Sequence, residues 1–277
     1  MKTSPKALLD VTRSDPPVQC STDDIVDLKH RTVLKAAIKR YIPDVLLTAR
    51  RNYLVSRLRR RFKTLSVKDA FTAIYTDALW GGPEGLGDGF FSGRGSHERQ
   101  VVATYVTAVK TLLKSLDKPT VVDLGCGDFC VGAQVRSLCG PYIACDIVEP
   151  LIERNKDKYR GLDVDFRAVD ITADELPDGD VVFIRQVFQH LSNELIIKAL
   201  PIISSKYKYL LVTEHVPSSL RFIPNIDKPT GPDTRLSNAS GVVLTSPPFN
   251  LKVRRAEVLC EVLEGDSVIQ THLYELR

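Results

Sequence analysis

Apolar and polar positions alternate along the middle of the chain in blocks that change period. Val121–Leu124, Tyr142–Cys145, Val164–Ile171, Val181–Ile184 and Tyr209–Thr213 are short apolar runs of strand length. Between Ser96 and Val121, the residues Val102, Tyr105, Val106, Val109, Leu112, Leu113 and Leu116 form one stripe at helical spacing. Ser96 is placed to cap that helix, with Glu98 in its first turn. A further helix is expected from the glycine turn after Leu124 to about Leu138. At the C-terminus, Arg255–Leu263 and Ser267–Leu276 flank Glu264-Gly265-Asp266, a hairpin signal. Strands alternating with helices predict an α/β fold.

The first third of the chain reads differently. Residues 1–24, with Pro5, Pro16 and Pro17, are expected to be a flexible tail. Helical patterning runs from Ile25 to about Leu65 and breaks at Pro43, and Val45–Leu65 reads as one helix with a basic face. Residues 66–95 carry a short helix with Phe71, Ile74 and Tyr75, then a glycine-rich loop holding the single tryptophan, Trp80. The expected organisation is a tail over 1–24, a basic helical extension and glycine-rich loop over 25–95, and a main domain over 96–277.

The net charge of +4 conceals a split: residues 28–63 carry twelve Lys/Arg and one Asp, which leaves −7 for the rest. That segment fits a solvated helix face. It also fits contact with an anionic partner, which would be a membrane surface, a phosphorylated precursor or RNA. No apolar run approaches the roughly 18 residues of a membrane span, and the apolar stretch at the N-terminus is only Ala7–Leu9, so a cytoplasmic location is expected, with peripheral membrane contact left open. The six cysteines include no Cys-x-x-Cys pair. They read as reduced thiols, and no metal site is expected.

The chemistry centres on Asp123-Leu-Gly125-Cys-Gly127-Asp128 behind the first strand. Glycines there tolerate positive φ and let a ligand lie against the backbone. Cys130 stands where a dinucleotide fingerprint has its third glycine. A carboxylate ahead of the turn repels a pyrophosphate but accepts a hydrogen bond from an ammonium group. The pattern resembles the first motif of the class I S-adenosylmethionine (SAM)-dependent methyltransferases. Phe71-x-x-Ile74-Tyr75, then Trp80-Gly81 and Ser92-Gly-x-Gly-Ser96, resemble a bacterial subgroup of that family associated with polysaccharide and lipopolysaccharide biosynthesis.

That resemblance implies a Rossmann-like, seven-stranded, mostly parallel sheet with a C-terminal antiparallel hairpin, here with a helical N-terminal extension. It implies that Asp123, Gly125 and Gly127 hold the amino acid end of SAM. Asp146, nineteen residues beyond Gly127 and followed by Ile147, would take the ribose hydroxyls. Asp170 and Ile171 would meet the adenine, and Arg185 opens the segment matching the fourth motif. A hydroxyl acceptor also needs a proton acceptor, for which His190 is the first candidate and His215, beside Glu214, the second.

The segment Val216–Asn250 lacks regular patterning and would close over the acceptor, with Arg221, Asn225, Asp227, Asp233 and Arg235 able either to bond a sugar or to hold the loop's own turns. Ser246-Pro-Pro-Phe249 looks like the motif of amino-methylating DNA enzymes, but it follows the fifth strand rather than the fourth and reads as turn chemistry. The favoured expectation is methyl transfer to a hydroxyl of a sugar or polysaccharide precursor. RNA or protein methylation through the basic helix, and SAM binding without catalysis, are the alternatives.

Overall fold

The computed structural model describes residues 44–82, 89–219 and 221–277. The tail expected over 1–24, the patterning from Ile25 to Pro43, and Cys20 lie outside them. Two compact units divide the chain at Leu54 and Val55. In the first unit the described part is the opening of helix α1 (Asp44–Phe62), where Leu46, Tyr53 and Leu54 are exposed. The second unit, Val55–Arg277, contains the sheet.

Seven strands form that sheet: β1 (Val121–Leu124), β2 (Tyr142–Asp146), β3 (Asp165–Ala168), β4 (Val181–Arg185), β5 (Tyr209–Pro217), β6 (Arg255–Glu264) and β7 (Ser267–Glu275), in the order β3-β2-β1-β4-β5-β7-β6. The first five pair in parallel, and β7 runs antiparallel to both β5 and β6. Strands β1 and β2 are buried at every position, as parallel strands covered on both faces should be. The edge strand β3 buries only Phe166. Gly265 makes the β6–β7 turn at φ 60°.

Each face of the sheet has its own core. On one, helix α2 (Val67–Thr76) places Phe71, Ile74 and Tyr75 against Val122, Leu124 and Ile184, and α5 (Asn193–Lys206) adds Ile196, Leu200 and Ile203. On the other, α3 (Arg99–Ser115) packs Val102, Val106, Val109 and Leu113 against Val121 and Phe183. Ser66 caps α2 by accepting from the Asp69 amide at 3.1 Å, while its hydroxyl donates to the Asp69 carboxylate at 2.7 Å. Helix α4 (Glu149–Lys158) covers the sheet beside β2 and β3.

Two local expectations fail. The glycine turn does not run into a helix, because Gly127 and Phe129 both take left-handed φ (55° and 60°). The chain then continues only as 3-10 turns at Gly132–Gln134 and Arg136–Leu138. Ser96 does not cap α3 either. It ends a 3-10 turn, Glu98 holds the cap position without a side-chain bond, and the Ser96 hydroxyl instead accepts from Arg185 at 3.0 Å.

Phe62, at the end of α1, is 2% exposed and packs into the α2-side core, whereas Leu263 on the hairpin is 75% exposed. Phe62→Ala should therefore lower unfolding free energy by about 3–5 kcal/mol. Leu263→Ala should stay within about 0.5 kcal/mol of the parent in the same urea titration.

Candidate functional site

The parallel strands reverse their order between β1 and β4, and the crevice at the carboxyl ends of strands around such a point is where open α/β sheets take ligands. A cavity of about 340 Å³ lies there. It is lined by all ten residues picked from the sequence: Asp123, Gly125, Gly127, Asp146, Ile147, Asp170, Ile171, Arg185, His190 and His215.

The turn itself is sterically closed to side chains. A Cβ on Gly125 would stand 2.3 Å from Val187 Cγ2, and one on Gly127 would stand 2.4 Å from Ser92 Oγ. The amides of Gly125 and Cys126 both donate to the Cys145 carbonyl (2.8 and 2.9 Å), tying the turn to β2. Asp146 Oδ2 accepts from the Gly127 amide and Oδ1 from Val148, each at 3.0 Å. Asp123 accepts from the Tyr142 hydroxyl at 2.9 Å.

Burial pushes both carboxyls up, Asp123 to about 7 against the opposing Tyr142 bond, and Asp146 to about 6 against its backbone bonds. Asp170 lies just past β3. Its Oδ1 accepts from the Thr172 amide and hydroxyl, so the carboxylate also closes its own turn.

Arg185 is a half-buried cation on the same floor. It donates to Ser96 Oγ at 3.0 Å, to the Gly95 carbonyl and to Gln186 Oε1, with its guanidinium 5.0 Å from the centre of the Tyr105 ring. Its Nε is buried without a hydrogen-bond partner among the described residues. Asp123 and Arg185 interact electrostatically, yet each hydrogen-bonds to scaffold groups rather than to the other.

The two histidines differ. His215 donates its amide to Gln189 Oε1 at 3.2 Å, which fixes the Gln189 amide so that Nε2 faces His190 Nε2 at 3.2 Å. His190 Nδ1 in turn faces the Gly231 carbonyl at 3.2 Å and so carries the ring proton. Both ring nitrogens are engaged, Trp80 packs on the ring at 4.8 Å, and burial, reinforced by Lys228, lowers the pKa to about 3. His190 is neutral and holds the loop.

The His215 ring sits where β7 meets β5. Its Nε2 is 2.7 Å from Ser267 Oγ and 3.5 Å from Glu264 Oε2. The Ser267 proton goes to the Glu264 carbonyl, so Nε2 donates and Nδ1 keeps its lone pair. Burial lowers this histidine's pKa and the Glu264 carboxylate opposes the shift.

Most loop residues expected near an acceptor brace the loop, Asn225 within it and the others against neighbouring elements. Asn225 donates to the Val243 and Pro247 carbonyls and accepts from the Val243 amide, and Asp227 accepts from the Asn193 and Lys228 amides. Asp233 accepts from Arg59. Arg235, fully buried, donates to the carbonyls of Phe188 and Leu191 and to Asn193 Oδ1, all at 2.8 Å. Arg221 and Asp227 are exposed.

Pairings across long sequence gaps were not foreseen. Arg94, Thr234 and Glu264 also line the cavity, together with Trp80 of the glycine-rich loop, which the sequence offers either as a plug on the sheet or as a pocket wall. His97 Nε2 lies 2.6 Å from Asp128 Oδ2, with Cys130 Sγ 3.8 Å from the same nitrogen, a compact group of three potential ligand atoms. Asp128 also accepts from Ser92 and Cys130. Burial works to raise its pKa, but these hydrogen bonds and His97 outweigh burial and hold it below the ordinary range. Five cysteines are free thiols among the described residues.

Residues 122–200 match the family described as a methyltransferase domain. The fold is similar to that of the N-methyltransferase NodS from Bradyrhizobium japonicum WM9, crystallised with S-adenosyl-L-homocysteine. The match has a TM-score of 0.52 at 10% identity, over 74% of this chain and 98% of that one. It is also similar to magnesium protoporphyrin IX methyltransferase (ChlM) from Synechocystis PCC 6803 with bound SAM. That TM-score is 0.50 at 13% identity, over 76% of this chain and 98% of that one. These likenesses establish the Rossmann-like methyltransferase fold. No curated protein matches the chain.

Removing Arg235 would strand three buried acceptors. Arg235→Ala should lower stability by about 3 kcal/mol or more in urea unfolding.

Proposed function

We propose that the protein is a SAM-dependent methyltransferase acting on a hydroxyl of a sugar or polysaccharide precursor. The observation that carries the cofactor is the floor of the cavity: a buried carboxylate, Asp123, and a half-buried guanidinium, Arg185, held apart by scaffold bonds beneath a glycine turn that no side chain could occupy. An amino acid zwitterion matches that pair of charges, with its ammonium toward Asp123 and its carboxylate toward Arg185. Asp146 retains lone pairs for the ribose hydroxyls after its two backbone bonds, and Asp170 and Ile171 border the adenine end. The match of residues 122–200 to a methyltransferase family supports the same reading.

SAM, when bound, supplies an electrophilic methyl group on a sulfonium. The chain's part is to orient the acceptor behind that group, which can be worth about 7–11 kcal/mol, and to take the hydroxyl proton. His215 suits the second task better than His190. Its Nδ1 lone pair is available, and Glu264 is placed to stabilise the imidazolium that forms. The polar lining beside it, from Gln186, Gln189, Thr234 and Glu264, suits a hydroxylated acceptor. The exposed Arg50, Arg57, Arg60 and Arg61 of α1 favour a second reading, an RNA acceptor whose affinity would fall steeply with salt.

Calorimetry should show SAM binding to the wild type and none to Asp146→Ala; a wild type that binds no SAM would end this reading. Asp123 must be ionised to hold an ammonium group. With its carboxyl raised to about 7 in the free protein, affinity should be lost as pH falls through that value, by about tenfold per pH unit. Below about 6, Asp146 would steepen the loss. In Asp123→Asn, binding should be weak and lack the step near 7.

Against a panel of sugar and glycan hydroxyl acceptors, His215→Gln should lower kcat by about 10²–10⁴-fold with SAM affinity intact. Turnover of amine acceptors alone would rule out the hydroxyl assignment.

A further inference from the structure

The end of α1 reaches the wall of the cavity through one arginine. Arg59 Nε and Nη2 both bond Asp233 Oδ2, at 3.0 and 2.8 Å, and Nη2 also reaches Ser237 Oγ at 2.8 Å and Asn238 Oδ1 at 3.1 Å. Asp233 is only 12% exposed at its side chain, and its other oxygen lies 3.5 Å from the buried ammonium of Lys228. One carboxylate therefore joins two cations that are far apart in sequence.

The residues on either side of it, Pro232 and Thr234, line the cavity. The Pro232 carbonyl accepts from Trp80 Nε1 at 3.1 Å, and the Gly231 amide donates to the His190 carbonyl at 3.0 Å. Phe62, one turn beyond Arg59, lies against Gly231, where a Cβ would meet its ring carbon at 3.5 Å. One wall of the cavity is thus assembled from Trp80 and residues 228–238, backed by the end of α1.

We infer that Arg59 is a positioning residue for the acceptor: by clamping Asp233 it holds Pro232, Thr234 and Trp80 in place on the side of the cavity away from SAM. The acceptor-side role rests on the methyltransferase reading; the clamp itself does not. Two charge-assisted bonds to one carboxylate oxygen in a part-buried site are among the stronger polar contacts a loop can have. A loop whose regular structure is one 3-10 turn, Arg235–Asn238, depends on such contacts to keep one conformation.

Trp80, the only tryptophan, reports on this wall. In full-length Arg59→Ala and Asp233→Asn, hydrogen exchange at the Gly231 amide should speed by about tenfold or more. Acrylamide should quench Trp80 more efficiently, while calorimetry should show unchanged SAM affinity.

The double variant should show no more than the larger single effect, since both remove one contact. Arg59→Lys, which cannot hold Asp233 and the Ser237–Asn238 pair in one fork, should fall between, and exposed Arg60→Ala should match the wild type. Unchanged exchange and quenching in Arg59→Ala and Asp233→Asn would overturn the clamp. So would equal speeding of exchange in the β1 and β2 amides, or loss of SAM binding in variants that remain folded, because the arginine would then support the whole unit. If the wild type itself binds no SAM, the acceptor-side role falls with the methyltransferase reading, even where the loop effect is observed.

Discussion

Two carboxylates placed almost out of water at neighbouring strand ends constrain everything else about the cavity. Asp123 and Asp146 are 7% and 8% exposed, and desolvation raises both. A folded-state pKa above the unfolded value means that the folded protein keeps a proton the unfolded chain gives up. Stability from Asp123 is therefore full below about 4 and is lost as pH rises through about 7. An arrangement that costs stability at neutral pH would be relieved by a ligand that brings a positive charge to Asp123 and donors to Asp146. Both oxygens of Asp146 also hold the backbone, one at Gly127 and one at Val148. The turn and the acid are thus a single unit, and altering either moves the other.

The side built from the segment after β4 and the loop of residues 228–238 is organised by hydrogen bonds and two buried cations, Arg235 and Lys228. The path from the His215 amide through Gln189 and His190 to the Gly231 carbonyl links the end of β5, the segment after β4 and the loop of residues 228–238. Glu214 accepts from the amides of Phe188 and Gln189, and Arg235 takes the carbonyls of Phe188 and Leu191. Burial pushes Glu214 up to about 8, with Arg235 and the amide bonds opposing it. Nearly every polar group of the 3-10 turn Phe188–His190 is matched in this way, which is what a buried irregular segment requires.

The strands and the floor of the cavity could be read from the chain because their signals are local. An apolar run, an acid at its end and a glycine with no room for a Cβ leave marks a few residues wide, and Asp123, Gly125, Gly127 and Asp146 carry them. The 3-10 turns after Phe129 were illegible because nothing in Val131–Leu138 announces that Phe129 will take φ 60°. The pairings of Arg59 with Asp233, His97 with Asp128, and His215 with Ser267 and Glu264 join residues separated by 174, 31, 52 and 49 positions. Such pairs follow from topology and have no period of their own. The loop acids and amides were legible only as alternatives, and bracing is where the geometry puts Asn225, Asp227, Asp233 and Arg235.

The difference between the two histidines shows why position on the rim is not enough to assign chemistry. His190 stands just after β4, but a ring with both nitrogens bonded, a tryptophan on its face and a pKa near 3 has little capacity to take a proton at neutral pH. His215 is less buried and has a carboxylate within 3.5 Å. It owes that partner to the antiparallel hairpin, since β7 is what brings Ser267 and Glu264 back beside β5. The one part of the sheet that breaks the parallel pattern therefore supplies the groups that make a basic imidazole tenable at the cavity wall.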